Sequence, residues 1–231
     1  MAFKPNNIKA VLVDVDDTIL DFSLCSKADI QMCLKKHGIP YSERIFETFE
    51  LRNAAFWKQI ENGTLTIEEL RSKRWTSIFD ELGIVADGPA FEKDFIMHLK
   101  DFAIPIDGAD EIMSYLHSKY KVCIVSNATH EQQDKRLSDA GLYRYVDMMF
   151  TSFDIGHVKP TREYFDVCFS RMDGIRPEET IIIGDSISAD IRGAVEYGIH
   201  SCWLNRKGKP APTDFQPDYT VTSLSEILDI L

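Results

Sequence analysis

The sequence predicts an α/β fold: a parallel sheet with helices on both faces, interrupted after its first strand by an all-helical domain. Three observations predict it. A short apolar run, Ala10-Val11-Leu12-Val13, stops at a group of acids. Residues 22–103 then carry helical patterning without a convincing strand. From about residue 106 strands and helices alternate to the end, as in a parallel sheet covered by helices.

The elements follow in order. The first run belongs to a strand over 8–14, β-branched and too apolar for an alternating surface strand, so it is buried on both faces. In the helical block, one helix closes at Leu34 to Lys36 before the stop His37-Gly38-Ile39-Pro40. A second runs from Ser42 to about Glu61 and ends at Asn62-Gly63. A third begins at Thr66, where Glu69 completes a capping box, and runs to Leu82-Gly83; a fourth follows Asp87-Gly88-Pro89. Strands are then predicted at 121–125, 148–151, 180–183 and 201–204, with a last one at 219–221 before a short terminal helix. Helices between them end at Gly141 or run over about 161–172 and 188–198. The domains are accordingly 1–21 with 104–231 for the α/β part and 22–103 for the helical part, joined through 19–22 and 102–108.

At 231 residues the chain is long enough for both parts to bury a core. A net charge of −11 argues against a nucleic-acid polymer as partner, since that needs basic patches, and leaves small anionic ligands open. The five cysteines are scattered and include no Cys-x-x-Cys pair, which favours reduced, buried thiols in a cytoplasmic protein over disulfides or a zinc site. No apolar run approaches membrane-spanning length, and the residues around Lys4, Pro5, Asn6 and Asn7 do not read as a signal peptide.

Polar residues with chemistry gather at strand ends. The first strand ends at Asp14-Val15-Asp16-Asp17-Thr18, the second at Ser126-Asn127, and the fourth at Gly184-Asp185 with Asp190 further on; Lys159-Pro160 precedes the helix at 161. In a parallel sheet these ends share one edge, the edge at which open α/β sheets bind ligands. Crowded carboxylates repel one another, so a divalent cation is the simplest compensation, and magnesium prefers such hard oxygen ligands. Helix-start N–H groups bind phosphate oxygens, a lysine neutralises a transferring phosphoryl group, and an aspartate can attack phosphorus. The set suits phosphoryl transfer. Taken singly each motif has a plain alternative: an acidic turn, a helix cap at Ser126, a surface lysine, a first-turn acid at Asp190.

In this order, however, the chain resembles the haloacid dehalogenase superfamily of phosphatases over nearly its whole length. Asp14, Asp16 and Thr18 match that family's Asp-x-Asp-x-Thr motif, Ser126 its second motif, Lys159 its third, and Gly184, Asp185 and Asp190 its fourth. The resemblance implies a Rossmann-like core and a helical cap of the family's first type. A narrower resemblance is to the YjjG/YfnB-type branch of nucleoside 5′-monophosphatases. It rests on residues 14–22, Lys135-Arg136-Leu137 with Gly141-Leu142, Lys159-Pro160 with Tyr164-Phe165, and Gly184-Asp185-Ser186 with Asp190-Ile191. The chain departs from that branch at Ser126-Asn127-Ala128, where Thr-Asn-Gly is usual, and at Phe153, where a glutamate is common.

The resemblance implies roles. Asp14 is the expected nucleophile and a metal ligand. Asp16 is the general acid and then the general base, and a metal ligand through its carbonyl. Asp185 is the third ligand to Mg2+, and Asp190 supports Lys159 or the metal. Thr18, Ser126, Asn127 and Lys159 are expected to bind the phosphate. Asp16 also argues against dehalogenation, because a halide leaving group needs no proton. In the helical block, Phe46, Phe49, Phe56, Trp57, Trp75 and Phe79 fall at helical spacing and read as core. Trp57 or Arg74 could instead stack a base and steady a phosphate. The isolated histidines, His130 and His157 among them, have no ligand spacing. The expected partner is a small phosphate ester, a nucleoside 5′-monophosphate or alternatively a sugar phosphate, acted on by a monomer or homodimer. A non-catalytic binding protein of the same fold is the remaining alternative.

Overall fold

The apolar run that opens the chain becomes the central strand of a parallel sheet. In the computed structural model, which describes residues 7–231, β1 (Ala10–Val13) pairs with one strand on each side. The expected lead-in over residues 1–6 lies outside the described residues.

Two units emerge: one holds the segment up to Asp21 together with Ala103–Leu231, the other holds Phe22–Phe102. The second unit comprises α1 (Phe22–Lys36), α2 (Glu43–Glu61), α3 (Ile67–Leu82) and α4 (Gly88–Leu99). The capping box expected at Thr66 is present: its hydroxyl accepts from the Glu69 N–H at 3.1 Å, and the Glu69 carboxylate accepts from the Thr66 N–H at 2.9 Å. The core of this unit is aromatic. Trp75 is fully buried, with Phe91, Phe79, Phe49 and Phe95 around it at centroid distances of 4.3 to 5.7 Å. Phe56 and Trp57 lie only half-buried at its margin.

The first unit continues with α5 (Ala109–Lys119), β2 (Lys121–Ser126), α6 (His130–Asp139), β3 (Met148–Thr151), α7 (Ser152–Ile155), α8 (Arg162–Ser170), β4 (Thr180–Gly184), α9 (Gly193–Tyr197), β5 (His200–Leu204) and β6 (Tyr219–Val221). The described strands form one parallel sheet in the order β3-β2-β1-β4-β5-β6. Side chains alternate between its faces. Val11 and Val13 join Ile112, Met113, Leu116 and Leu137 on one side. Ala10 and Leu12 join Tyr164, Phe165 and Cys168 on the other. Both faces are covered, which is why the strands read as continuous apolar runs.

Two details differ from the sequence reading. The amphipathic helix α5 was not among the expected elements. The expected helix over about 188–198 divides into a π-helical turn, Ile187–Arg192, and the short α9. Wide turns of this kind often occur at functional sites, and this one carries Asp190. The expected short terminal helix is present as a 3₁₀ segment, Leu224–Asp229. All five cysteines are buried and free of disulfides. Among the described residues no helix is long and apolar enough to cross a membrane.

Candidate active site

Register assembles the site. Val13 pairs with Ile124 on one side and Ile183 on the other, so Asp14 stands level with Val125 and Gly184. The loops after β1, β2 and β4 therefore leave the sheet side by side. The strand order reverses between β1 and β4, and such switch points open a crevice at the carboxyl ends of strands.

After β1 the backbone turns tightly. The Val15 carbonyl accepts from the N–H groups of Thr18, Ile19 and Leu20 at 3.3, 3.0 and 2.9 Å. Asp17 takes the left-handed conformation at φ 60°, which an aspartate tolerates better than most residues. It pairs outward with Lys207 at 2.8 Å.

Lys159 joins the strand ends. It is 1% exposed, and its ammonium donates to Asp14 Oδ1 at 2.8 Å, Asp190 Oδ1 at 2.7 Å and the Val125 carbonyl at 2.9 Å. Burial works against its charge, but the carboxylates of Asp14 and Asp190 outweigh that and hold the ammonium above its ordinary value. The other Asp190 oxygen accepts from the Ser186 N–H at 3.1 Å. Gly184 leaves room for this carboxylate, since a Cβ there would lie 2.2 Å from Asp190 Oδ2.

Two residues expected to bind phosphate make hydrogen bonds within the protein. Thr18 is fully buried; its hydroxyl donates to Asp14 Oδ2 at 2.9 Å and accepts from the Asp185 N–H at 3.2 Å. With its proton committed to Asp14, it positions the two acids. Asn127 donates to the Lys159 carbonyl at 3.1 Å and accepts from the Lys159 N–H at 2.8 Å, clamping that residue's backbone. Ser126 fits the phosphate-binding expectation better. Its oxygen accepts from the Ala128 N–H at 3.1 Å and from Gln133 at 2.9 Å, which leaves its proton for donation.

Asp16 stands apart from the lysine. Its Oδ1 accepts from Arg136 at 2.5 Å and its Oδ2 from Gln133 at 2.9 Å. Neither partner has an expected role from the sequence, although Arg136 belongs to the segment Lys135-Arg136-Leu137 that carries the narrower resemblance. The signal was there: Gln133, Arg136 and Leu137 share the buried face of α6 at helical spacing, and two of the three are polar. Lys209 was missed too. Its ammonium lies 3.2 Å from Asp185 Oδ2, and Trp203 donates to the Asp185 carbonyl at 3.0 Å.

The acids outnumber the cations beside them. Carboxylate oxygens of Asp14, Asp185 and Asp190 lie within 4.8 Å of one another. Burial pushes Asp185 up to about 6; Lys209 opposes this, while Asp14 and Asp17 add to it. Burial also raises Asp14 above its ordinary value despite Lys159, and Asp190 reinforces the effect. Such a donor set, all hard oxygen and short of positive charge, fits a divalent cation. Lys159 and the Ser186 N–H engage the two Asp190 oxygens, as Lys159 and Thr18 engage those of Asp14.

The helical unit treats Arg74 differently from the expectation that it meets a ligand. Arg74 is buried, forks onto Glu92 at 2.6 and 3.0 Å, donates to Asn53 at 2.9 Å, and lies over the Phe95 ring at 4.8 Å. Its charge and donors serve the interior of that unit. His130 bonds Asp154 at 2.7 Å, outside the acid cluster.

A doubly covered parallel sheet with an acid–lysine cluster at its carboxyl edge and a helical unit inserted after its first strand defines a hydrolase class. The chain belongs to the haloacid dehalogenase-like hydrolases, whose family model matches residues 8–198. It is 34% identical over 223 residues to YfnB of Bacillus subtilis, covering 96% of this chain and 95% of that protein. A crystal structure of YfnB bound to magnesium superposes with a TM-score of 0.94, covering 98% of this chain and 99% of that one. The chain is also 28% identical over 224 residues to the pyrimidine 5′-nucleotidase PynA of Streptococcus pneumoniae, covering 96% of this chain and 94% of that protein. It is 25% identical over 221 residues to the pyrimidine 5′-nucleotidase YjjG of Escherichia coli, covering 96% of each chain.

Proposed function

We propose that this hydrolase is a magnesium-dependent phosphatase of small phosphate monoesters, with nucleoside 5′-monophosphates as the favoured class. The observation that carries the reading is the Lys159 ammonium bridging Asp14 and Asp190, with Asp185 beside them and Asp16 two residues after Asp14. The nucleotidase relatives PynA and YjjG support the substrate class.

Asp14, Asp185 and the Asp16 carbonyl would hold Mg2+. The ion, when bound, supplies positive charge against the phosphoryl oxygens and the crowded carboxylates. Lys159, the Ser126 hydroxyl and nearby N–H groups hold the phosphoryl group. A carboxylate oxygen of Asp14 attacks phosphorus while the bond to the ester oxygen breaks, and protonated Asp16 gives that oxygen its proton. The products of this step are the alcohol and an aspartyl-phosphate. Asp16, now a carboxylate, takes a proton from water, whose oxygen attacks the same phosphorus. Inorganic phosphate leaves, and Asp14 is restored with Asp16 protonated.

The test is phosphate release from a panel of nucleotides and sugar phosphates, with Mg2+, with chelator, and for Asp14→Asn. Pyrimidine and purine 5′-monophosphates are expected to be turned over best, and chelator or Asp14→Asn to abolish release. Undiminished activity in the variant would sink the mechanism. A clear preference for sugar phosphates would remove the nucleotidase reading and leave the phosphatase one.

A further inference from the structure

We propose that Arg136 and Gln133 of α6 are positioning residues for Asp16, and that Gln133 ties the Asp16 carboxylate to the phosphate-binding end of β2. The inference rests on the phosphatase reading above, in which Asp16 moves the proton.

Four hydrogen bonds carry it. Arg136 Nη1 donates to Asp16 Oδ1 at 2.5 Å and to Gln133 Oε1 at 3.2 Å. Gln133 Nε2 donates to Asp16 Oδ2 and to Ser126 Oγ, both at 2.9 Å. The orientation of the Gln133 amide is therefore determined, because turning it over would set its oxygen against the Asp16 carboxylate and its nitrogen against the Arg136 donor. Each Asp16 oxygen accepts one bond from α6, which leaves a lone pair on each to carry a proton.

The burial is informative. Gln133 and Arg136 are both 0% exposed, whereas the Asp16 side chain is 29% exposed. Taking a guanidinium out of water costs several kcal/mol unless it is well paired. A helix that needed only to cover the sheet would place apolar side chains there, as it does at Leu137. Instead α6 directs one guanidinium nitrogen and an amide at one carboxylate on the loop that carries Asp14. Ser126, which caps β2 and is proposed to meet the phosphoryl group, shares the Gln133 amide. A phosphoryl group at Ser126 and the proton carrier at Asp16 are thus held from one helix.

Removal of the positioning should harm reactions in proportion to how much the leaving group needs a proton. A nucleoside leaves as a poor alkoxide, and p-nitrophenol leaves readily without one. The experiment measures kcat and KM for a nucleoside 5′-monophosphate and for p-nitrophenyl phosphate in the intact enzyme with Mg2+. The variants are Asp16→Asn, Arg136→Met, Arg136→Lys and Gln133→Leu, with folding checked by thermal melts. Arg136→Met is expected to lower kcat/KM for the nucleotide by roughly 10- to 100-fold, and that for the aryl ester by no more than about threefold, because kcat/KM covers departure of the leaving group and not the later attack of water on the intermediate. Arg136→Lys should recover part of the loss. Gln133→Leu should show the same contrast between substrates, and it decides the matter if Arg136→Met does not fold. If Asp16→Asn shows no contrast in kcat/KM between the two leaving groups, Asp16 is not the acid, and both readings fall. If Asp16→Asn shows the contrast but the α6 variants lose both activities equally, or neither, only the positioning inference is overturned.

Discussion

The ammonium of Lys209 lies 3.2 Å from Oδ2 of Asp185, and Asn205 holds it there. The Asn205 side chain bonds both the N–H and the carbonyl of Lys209, each at 2.8 Å, as Asn127 clamps the backbone of Lys159. A divalent cation on Asp185 would compete with this lysine. The pair is partly exposed, so its contribution is modest. Lys209→Met is expected to tighten Mg2+ binding by about two- to fivefold, equivalent to roughly 0.5–1 kcal/mol, in calorimetric titration without substrate. Lys119→Met, at the opposite edge of the sheet, controls for net charge. Equal binding by both variants and the parent would contradict the competition.

Gly184 offers a steric test of the site. An alanine Cβ there meets Asp190 Oδ2 at 2.2 Å and its Cγ at 2.4 Å. Asp190 must then move, and Lys159 loses one of its two carboxylate partners. Gly184→Ala is expected to destabilise the protein by roughly 1–3 kcal/mol, read as a lowered Tm, and to reduce turnover as well. A variant with the parental Tm and kcat would show that β4 can yield without disturbing Asp190.

Arg74 and Glu92 provide the corresponding test in the helical unit. Arg74→Met leaves Glu92 buried without its partner, and breaking a buried pair in this way costs about 3–5 kcal/mol. Arg74→Met/Glu92→Met should recover much of that, because apolar side chains can replace a buried pair. Thermal melts of the two variants decide it. KM for the substrate should stay unchanged in whatever protein remains folded; a raised KM in the stable double variant would return Arg74 to substrate binding.

Asp29 gives a pH dependence with a definite sign. It is buried, and burial pushes its carboxyl up to about 7. The Cys33 thiol at 3.3 Å and the charge of Arg74 oppose the rise, while Asp101 and Asp94 add to it. Above the ordinary carboxylate value the unfolded chain has lost this proton and the folded one keeps it. Stability therefore falls as pH rises from about 4 to about 7, by up to about 1.4 kcal/mol per pH unit for one proton. Asp29→Asn stays neutral throughout, so its Tm advantage over the parent should grow across that window. A constant difference between the two melting curves would refute it.

Much of this was legible along the chain. The run Ala10–Val13 ends at Asp14 because a strand covered on both faces must be apolar until it leaves the sheet. The capping box at Thr66 is equally local, since its two bonds join residues three apart. The positions of Asp14, Asp16, Ser126, Lys159, Asp185 and Asp190 could be read because each sits where an apolar run or a loop breaks.

What those side chains face could not be read that way. Thr18 and Asn127 look like phosphate ligands in sequence, yet their hydrogen bonds run to Asp14, Asp185 and the Lys159 backbone. Arg136 is 120 positions from Asp16 and Lys209 is 24 from Asp185. No local pattern encodes such pairs. The sequence by itself determined the strand ends and the chemical groups placed on them, because burial and helical or strand periodicity act over a few residues. The tertiary structure alone decided which group bonds which, because parallel register sets β1, β2 and β4 side by side and the donors and acceptors at their ends then have to satisfy one another.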